Sequence, residues 1–582
     1  MRVPLARTRG VTAGAAAALL AGLLTAALAS QVAPAAASIR PSVIKVPVFT
    51  LPLIRVGQVN LGTLAKSERH QPMAHGSAGA RYRLVDTALI AHRPDGTPAS
   101  SPDPATTALS TTNVRGESGF SALGGVQQAA VSGFDLEPPD QGLCVGGGYV
   151  MEFINNAISI YTAYGAQLVA PVRAAAAFLK PNEFFSDPRC YYDAPTKHWF
   201  FQELIVGTVG SSGQVLAPSQ EFEAVSNTPD PTGSYTVYSW NTTDIHTTGC
   251  PCFGDYDNLG ADNNGIYVTT GEIGITSGAA PGVIVYAISK QQLENGARVG
   301  IIPPVIGYRL ASDPLGTPFV VAPATTPPGA LFAPDTEYFV ESNTTQLNDN
   351  HLLVYALHDT TLLAAHVPPK VYRTELTSEP YAFPPDATQK PGPRPLGHAY
   401  QEPAGGLQAD FDGAMEPVYA SGSIFAALDT GTTSGSDAVD WFIVRPALSG
   451  STLSATIAHQ GVVAIKDASL LYPYTAVDAN GHGYLLFSLS GPRNYPSPAY
   501  IRYTAAGPTG PVIVATPGAA PDDSFGCYAA FAGPFNGGCR WGDYSMGAVM
   551  NGRVFMAAEM IPQGYRDTLS NWGTYIWSAP PP

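Results

Sequence analysis

Short acidic runs hold the residues of this chain best placed to do chemistry. Asp135 and Asp140 lie in GFDLEPPDQG, Asp187 and Asp193 in SDPRCYYD, Asp255 and Asp257 in GDYD, Asp410 and Asp412 in DFDG, and Asp543 in GDYS. Positions i and i+2 of a strand share a face, so Asp255 and Asp257 are expected to point the same way while Tyr256 turns into the sheet. Neighbouring carboxylates repel and their pKa values separate, which is what acid and base roles in glycoside cleavage require. On that reading Asp187, Asp255 and Asp543 are the catalytic candidates. Convergent carboxylates also suit a hard cation such as Ca²⁺. The architectural alternative is that they cap turns and bind backbone amides between repeated units.

Aromatic and basic neighbours widen the candidate set. Trp541 stands beside Asp543, Trp441 beside Asp440, and Tyr191-Tyr192 beside Asp193. Ring faces next to carboxylates can stack on and hydrogen-bond a sugar, although core packing competes for each aromatic residue. Arg189 and Arg540 adjoin acidic runs, where they can bind an anionic group or form internal ion pairs. The binding candidates are therefore Asp257, Trp541, Arg189, Arg540 and Tyr192. The chain has no G-x-S-x-G elbow, no H-E-x-x-H zinc helix and no phosphate loop. His198, His246, His398, His459 and His482 stand in unrelated contexts, and only a Ser-His-Asp triad assembled in space stays open.

The elements that must position these groups repeat. A polar segment, a turn and an apolar or aromatic strand recur seven times, with anchors at Tyr149, Trp199, Tyr267, Tyr338, Phe425, Tyr484 and Phe555. None shows the sustained 3.6-residue period of a crossover helix, which excludes a Rossmann-like domain. With 60 Gly and 53 Pro, turns must be frequent. An all-β propeller is expected, seven-bladed with six blades as the runner-up. Trp572 to Trp577 should complete a blade begun near the N-terminus of the ring. One short helix is expected, from Arg173 to Leu179.

The 582 residues include 30 basic and 45 acidic ones, and the net charge of −15 argues against nucleic acid as a partner. Three arginines followed by an apolar run from Val11 to Ala29 read as a signal peptide within residues 1–37, so a secreted, extracellular protein is expected, with no membrane span after cleavage and a monomeric state. Residues 38–115 read as a partly disordered extension that includes one or two edge strands and a linker from His92 to Asn113, and residues 116–582 as the propeller. Six cysteines suit disulfides: Cys527 with Cys539, Cys144 with Cys190, and Cys250 with Cys252 around Pro251.

From Gly133 onward the chain resembles a group of secreted bacterial β-propeller proteins, broadly similar to the sialidase-like propellers. Pro138-Pro139-Asp140, Ser186-Asp187-Pro188-Arg189 with Tyr192-Asp193, Gly254-Asp255-Tyr256 with Gly260-Ala261-Asp262, and Trp541-Gly542-Asp543-Tyr544-Ser545 carry the resemblance. It implies the fold. The S-x-D-x-G-x-[TS]-W box of true sialidases is absent, so sialidase activity is not expected. The function expected is action on, or recognition of, an extracellular glycan or other polar ligand at the axial mouth, as a glycoside hydrolase if an enzyme. The alternative is a non-catalytic binding or scaffold propeller of the cell envelope.

Overall fold

The computed structural model describes residues 43–67, 82–84, 104–209, 214–299, 302–409, 413–414, 416–532, 538–564, 566 and 569–582. The expected signal peptide, most of the expected linker, Asp410 and Asp412 lie outside the described residues. Seven antiparallel sheets form a seven-bladed β-propeller. Blade one begins with the inner strand Gln141–Gly146, blade two with Ser186–Asp193, blade three with Cys252–Ala261, blade four with Ala322–Pro323, blade five with Val418–Ala420, blade six with Ser469–Val477 and blade seven with Met546–Met550.

All seven aromatic anchors fall on second strands, from Tyr149–Ile154 in blade one to Arg553–Met560 in blade seven. These strands are apolar because each is covered on both faces by neighbouring blades, so the alternation expected of a half-exposed sheet is lost. Gly265–Gly274 is buried at every position. Blade seven closes the ring as expected: Gly573–Ala579 pairs with Ser118–Gly124, placing Ile576 opposite Phe120 and Trp577 opposite Gly119. The three disulfides join the expected cysteines, Cys144 to Cys190, Cys250 to Cys252 and Cys527 to Cys539.

The segment before the ring is laid along its outside. Val43 bridges to Tyr372 of blade four, Val48–Leu51 adds a fifth strand to blade three, and Ile54–Asn60 adds one to blade two. Leu109–Ser110 then runs parallel to the outer strand of blade six. Covering the outer strands in this way satisfies N–H and C=O groups that an exposed edge would offer to other chains. Phe49 packs into the space left by the missing side chain of Gly307. Gly307→Val is therefore expected to lift this strap off blade three, at a cost of about 1–3 kcal/mol for the overpacked site. Limited proteolysis should show faster cleavage before residue 60, and an unchanged digestion rate would refute the arrangement.

The expected short helix is present at Ala174–Ala177, between blades one and two. Sequence reading missed Lys290–Val299, a polar helix between the last two strands of blade three. Lys290 Nζ donates to Asp193 Oδ1 of blade two at 2.8 Å and to Asp262 O of blade three at 2.6 Å, so the start of this helix ties two blades together.

Candidate functional site

The inner strands of blades two, three and six each contain a register shift at a non-glycine residue with positive φ: Asp187 at 62°, Tyr256 at 51° and Tyr472 at 53°. Such a bulge turns one N–H out of the ladder. In each case a side chain of the preceding blade accepts it. Asp187 N donates to Asn155 Oδ1 at 2.8 Å, Tyr256 N to Asp187 Oδ2 at 3.2 Å, and Tyr472 N to Asp429 Oδ2 at 2.9 Å.

Around the axis these bonds form a closed circuit. Asp543 N donates to Asp140 Oδ1 at 2.7 Å, and Asn155 Nδ2 donates to Asp140 Oδ2 at 2.6 Å. Asn155 accepts from Asp187, Asp187 accepts from Tyr256, and the Tyr256 hydroxyl returns to Asp543 O at 3.3 Å. The bulge aims Tyr256 across the ring and not into the sheet, which corrects the simple i, i+2 expectation.

Arg189 lies against this circuit. Its Nε is 2.9 Å from Glu416 Oε1, and its guanidinium sits 3.3 Å from the centroid of the Tyr544 ring. Arg540 Nη2 grips both oxygens of Asp543 at 3.0 and 2.8 Å. The sequence candidates are thus brought together, but behind protein: Asp187, Arg189 and Asp543 are 2% exposed, Asp255 and Arg540 4%, and Asp257 and Trp541 0%. Trp541 Nε1 donates to Ser488 Oγ at 2.9 Å, which makes it a packing residue between blades. Asp255 lies opposite Gly271 in blade three. Tyr192 is half-buried against Trp199, with ring centroids 4.7 Å apart, and faces the axial cavity.

Burial dominates the titration of this layer. It pushes Asp257 up to about 8 even though the Arg189 charge opposes it, and Asp140 to about 7 with help from the Asp187 charge. Asp187 is raised by burial against the Ser186 hydroxyl and Arg189. Sequence reading missed Glu221 and Glu223, which lie on the third strand of blade two and are raised well above the usual carboxylate range by burial and by Asp257. Gln202 Nε2 donates to Asp257 Oδ2 at 2.5 Å in the same packed face.

Two cavities bear on ligand binding. The axial cavity is lined by inner strands and lead-ins of all seven blades, Leu143, Tyr192, Leu259, Thr325, Glu416, Tyr474 and Met546 among them. Its free volume of about 50 Å³ has room for a few waters and none for a sugar ring. A second, open cleft of about 460 Å³ is lined by Asp386, Thr388, Gln389, Arg394, Gly405 and Gly406. It lies in the long connection between blades four and five, where that connection meets the one between blades six and seven. Asp522 N donates to Gln389 Oε1 at 2.8 Å, and Cys539 N to Gly406 O at 2.7 Å.

Among the described residues, one group of three potential metal ligands converges, Asp522 with Cys527 and Cys539. The two sulfurs are bonded to each other, so they are not thiolate ligands. The axial carboxylates considered above for Ca²⁺ are already engaged: Asp140, Asp187 and Asp257 accept hydrogen bonds, and Asp543 is gripped by Arg540.

No protein-family model and no curated protein sequence matches the chain. Among solved structures it is similar to an exo-β-1,3-galactanase from Clostridium thermocellum, at 10% identity over 78% of this chain and 98% of that one, with a TM-score of 0.30. It is similar also to the Dos1 propeller, at 7% identity over 78% and 81% with a TM-score of 0.33, and to an α-L-arabinofuranosidase from Lactobacillus brevis, at 12% over 55% and 89% with a TM-score of 0.25. At such identities and scores the likeness bears on neither site nor substrate. The seven blades rest on the strand pairing of this chain itself.

Proposed function

We propose that this chain is an exported recognition propeller that holds a polar, glycan-type ligand in the cleft beside Gln389 and Arg394. The axial carboxylates then serve the ring. One observation carries the reading: the acidic residues suited to catalysis are shielded and committed to partners within the chain, whereas the cleft is open. Its volume of about 460 Å³ falls in the range of roughly 300–1,000 Å³ usual for small-molecule sites. Its Asp, Thr, Gln and Arg side chains offer the donors and acceptors that hydroxyl-rich molecules need. Export is supported by three disulfides with no free cysteine. No helix of the described residues is long and apolar enough to cross a membrane.

A second reading, glycoside hydrolysis at the axis by Asp187, Asp255 and Asp543, is favoured by one feature. In the same layer, burial pushes Asp140 up to about 7 and Asp257 up to about 8 next to Asp187, the kind of raised carboxyl that a general acid beside these residues needs. Calorimetric binding and reducing-end release, measured over a set of polysaccharides, separate the two readings. Thr388 is exposed, so Thr388→Trp is expected to fill the cleft and abolish binding at unchanged Tm. Asp543→Asn is expected to lower Tm and leave affinity intact. Reducing-end release that disappears in Asp187→Asn at unchanged Tm would instead establish hydrolysis.

A further inference from the structure

Among the described residues, the cleft contains a cation, Arg394, with no carboxylate at ion-pair distance. Several buried or half-buried arginines of the described ring are matched by a carboxylate, Arg189 with Glu416, Arg309 with Asp244, Arg540 with Asp543 and Arg566 with Asp523, whereas the half-buried Arg553 is satisfied by Ser578 and the carbonyl oxygen of Gly116. Arg394 is half-buried, and its one hydrogen bond runs from Nη1 to the carbonyl oxygen of Ala404 at 3.3 Å. Among the described residues no carboxylate comes within ion-pair distance, and Arg394 Nε is shielded from solvent with no acceptor. Asp522 feels the Arg394 charge, but its Oδ1 accepts from Ser524 N.

A guanidinium fork fits the two oxygens of a planar carboxylate. The rest of the wall suits hydroxyls: Thr388 and Gln389 are polar, and Gly405 and Gly406 expose backbone. Asp386 lies on the same wall, and its charge disfavours a polyanion.

We propose that Arg394 anchors a single ligand carboxylate, so that the cleft selects a uronic-acid-bearing saccharide over a neutral one. This inference rests on the recognition reading above. The test is calorimetric titration of the full chain with a glucuronic-acid-terminated disaccharide, with its methyl ester as the neutral isostere, and with a disaccharide carrying a sulfate ester in place of the carboxylate. Wild type is expected to bind the acid at least tenfold more tightly than the ester, with the sulfate form weaker than the acid. Arg394→Gln should erase the preference at unchanged Tm, while Arg394→Lys keeps the charge, loses the fork and retains part of it. If acid and ester bind alike and Arg394→Gln changes neither, the anchor is refuted while recognition stands. If the sulfate form binds most tightly, carboxylate selection is refuted. If none of the three binds and a broad panel of neutral glycans also fails, the recognition reading fails with it. Should Arg394→Gln misfold, the acid-to-ester ratio of wild type and Arg394→Lys decides.

Discussion

Replacing Arg189 by methionine is expected to lower the stability of the ring by about 3–5 kcal/mol, the usual effect of removing one partner of a buried ion pair. Glu416 is 5% exposed and would be left as a buried carboxyl with no counter-ion, its pKa raised further by the loss of Arg189. It also accepts Leu259 N at 2.9 Å, so it anchors the lead-in of blade five to the inner strand of blade three. The Tyr544 ring would lose the cation stacked on it at 3.3 Å. Thermal melting by circular dichroism reads the effect. Arg189→Lys should fall between wild type and Arg189→Met, because lysine keeps charge but neither fork nor plane. Adding Glu416→Leu to Arg189→Met should recover much of the loss, since two apolar groups can replace a buried pair. A melting temperature for Arg189→Met equal to that of wild type would show that the pair holds nothing.

The ring is expected to be most stable in mild acid and to weaken steadily towards pH 9. Burial is the first cause of raised values at Glu152 and Asp140, both about 7, and at Asp257 and Glu272, both about 8. Their ordinary values are 3.8 for Asp and 4.5 for Glu. The folded state therefore binds more protons than the unfolded chain between about pH 4 and 8. The stability these groups contribute is complete below about pH 4 and is lost as pH rises through 7 and 8. One pKa unit is worth about 1.4 kcal/mol, so partial realisation over four groups amounts to several kcal/mol. Asp244 acts in the opposite sense: burial opposes it, but Thr247, the His246 amide and Arg309 lower its pKa, so its contribution disappears in acid. Melting temperatures from pH 4 to 9 measure the balance, and a profile that is flat or rises with pH would contradict it.

The repeat was legible because second strands carry the strongest pattern, an aromatic anchor after a glycine turn within a run buried on both faces. Tyr267 and Phe555 show it plainly. Two cysteine pairs, Cys250 with Cys252 and Cys527 with Cys539, were legible because they are close in sequence, while spacing alone did not decide the partner of Cys144. The acidic runs were found but their direction was not, since a bulge at Tyr256 is a backbone event with no signature beyond GDYD. Glu221 and Glu223 were hidden for a different reason. The run QEFEA alternates polar and apolar as a solvent-facing strand does, but in a propeller the second face of a blade meets the next blade. Alternation there marks which neighbour a side chain touches and says nothing about water. The cleft was invisible because the connection from Phe383 to Pro417 offers, beyond the DFDG run, no strand pattern or motif that marks a pocket. Arg394 stands out only once its place in the wall of the cleft is known.

The pairing of Ser118–Gly124 with Gly573–Ala579 sets the order in which the chain can become a ring. The strand that finishes blade seven is made first and its three partners last, so about 450 residues must exist before the first strand of the circle has anywhere to go. Until then Gln141–Gly146 lacks its neighbour on one side, and the circuit through Asp543, Asp140, Asn155 and Asp187 has an open end. The strand made last is the one that joins the two ends of the circle.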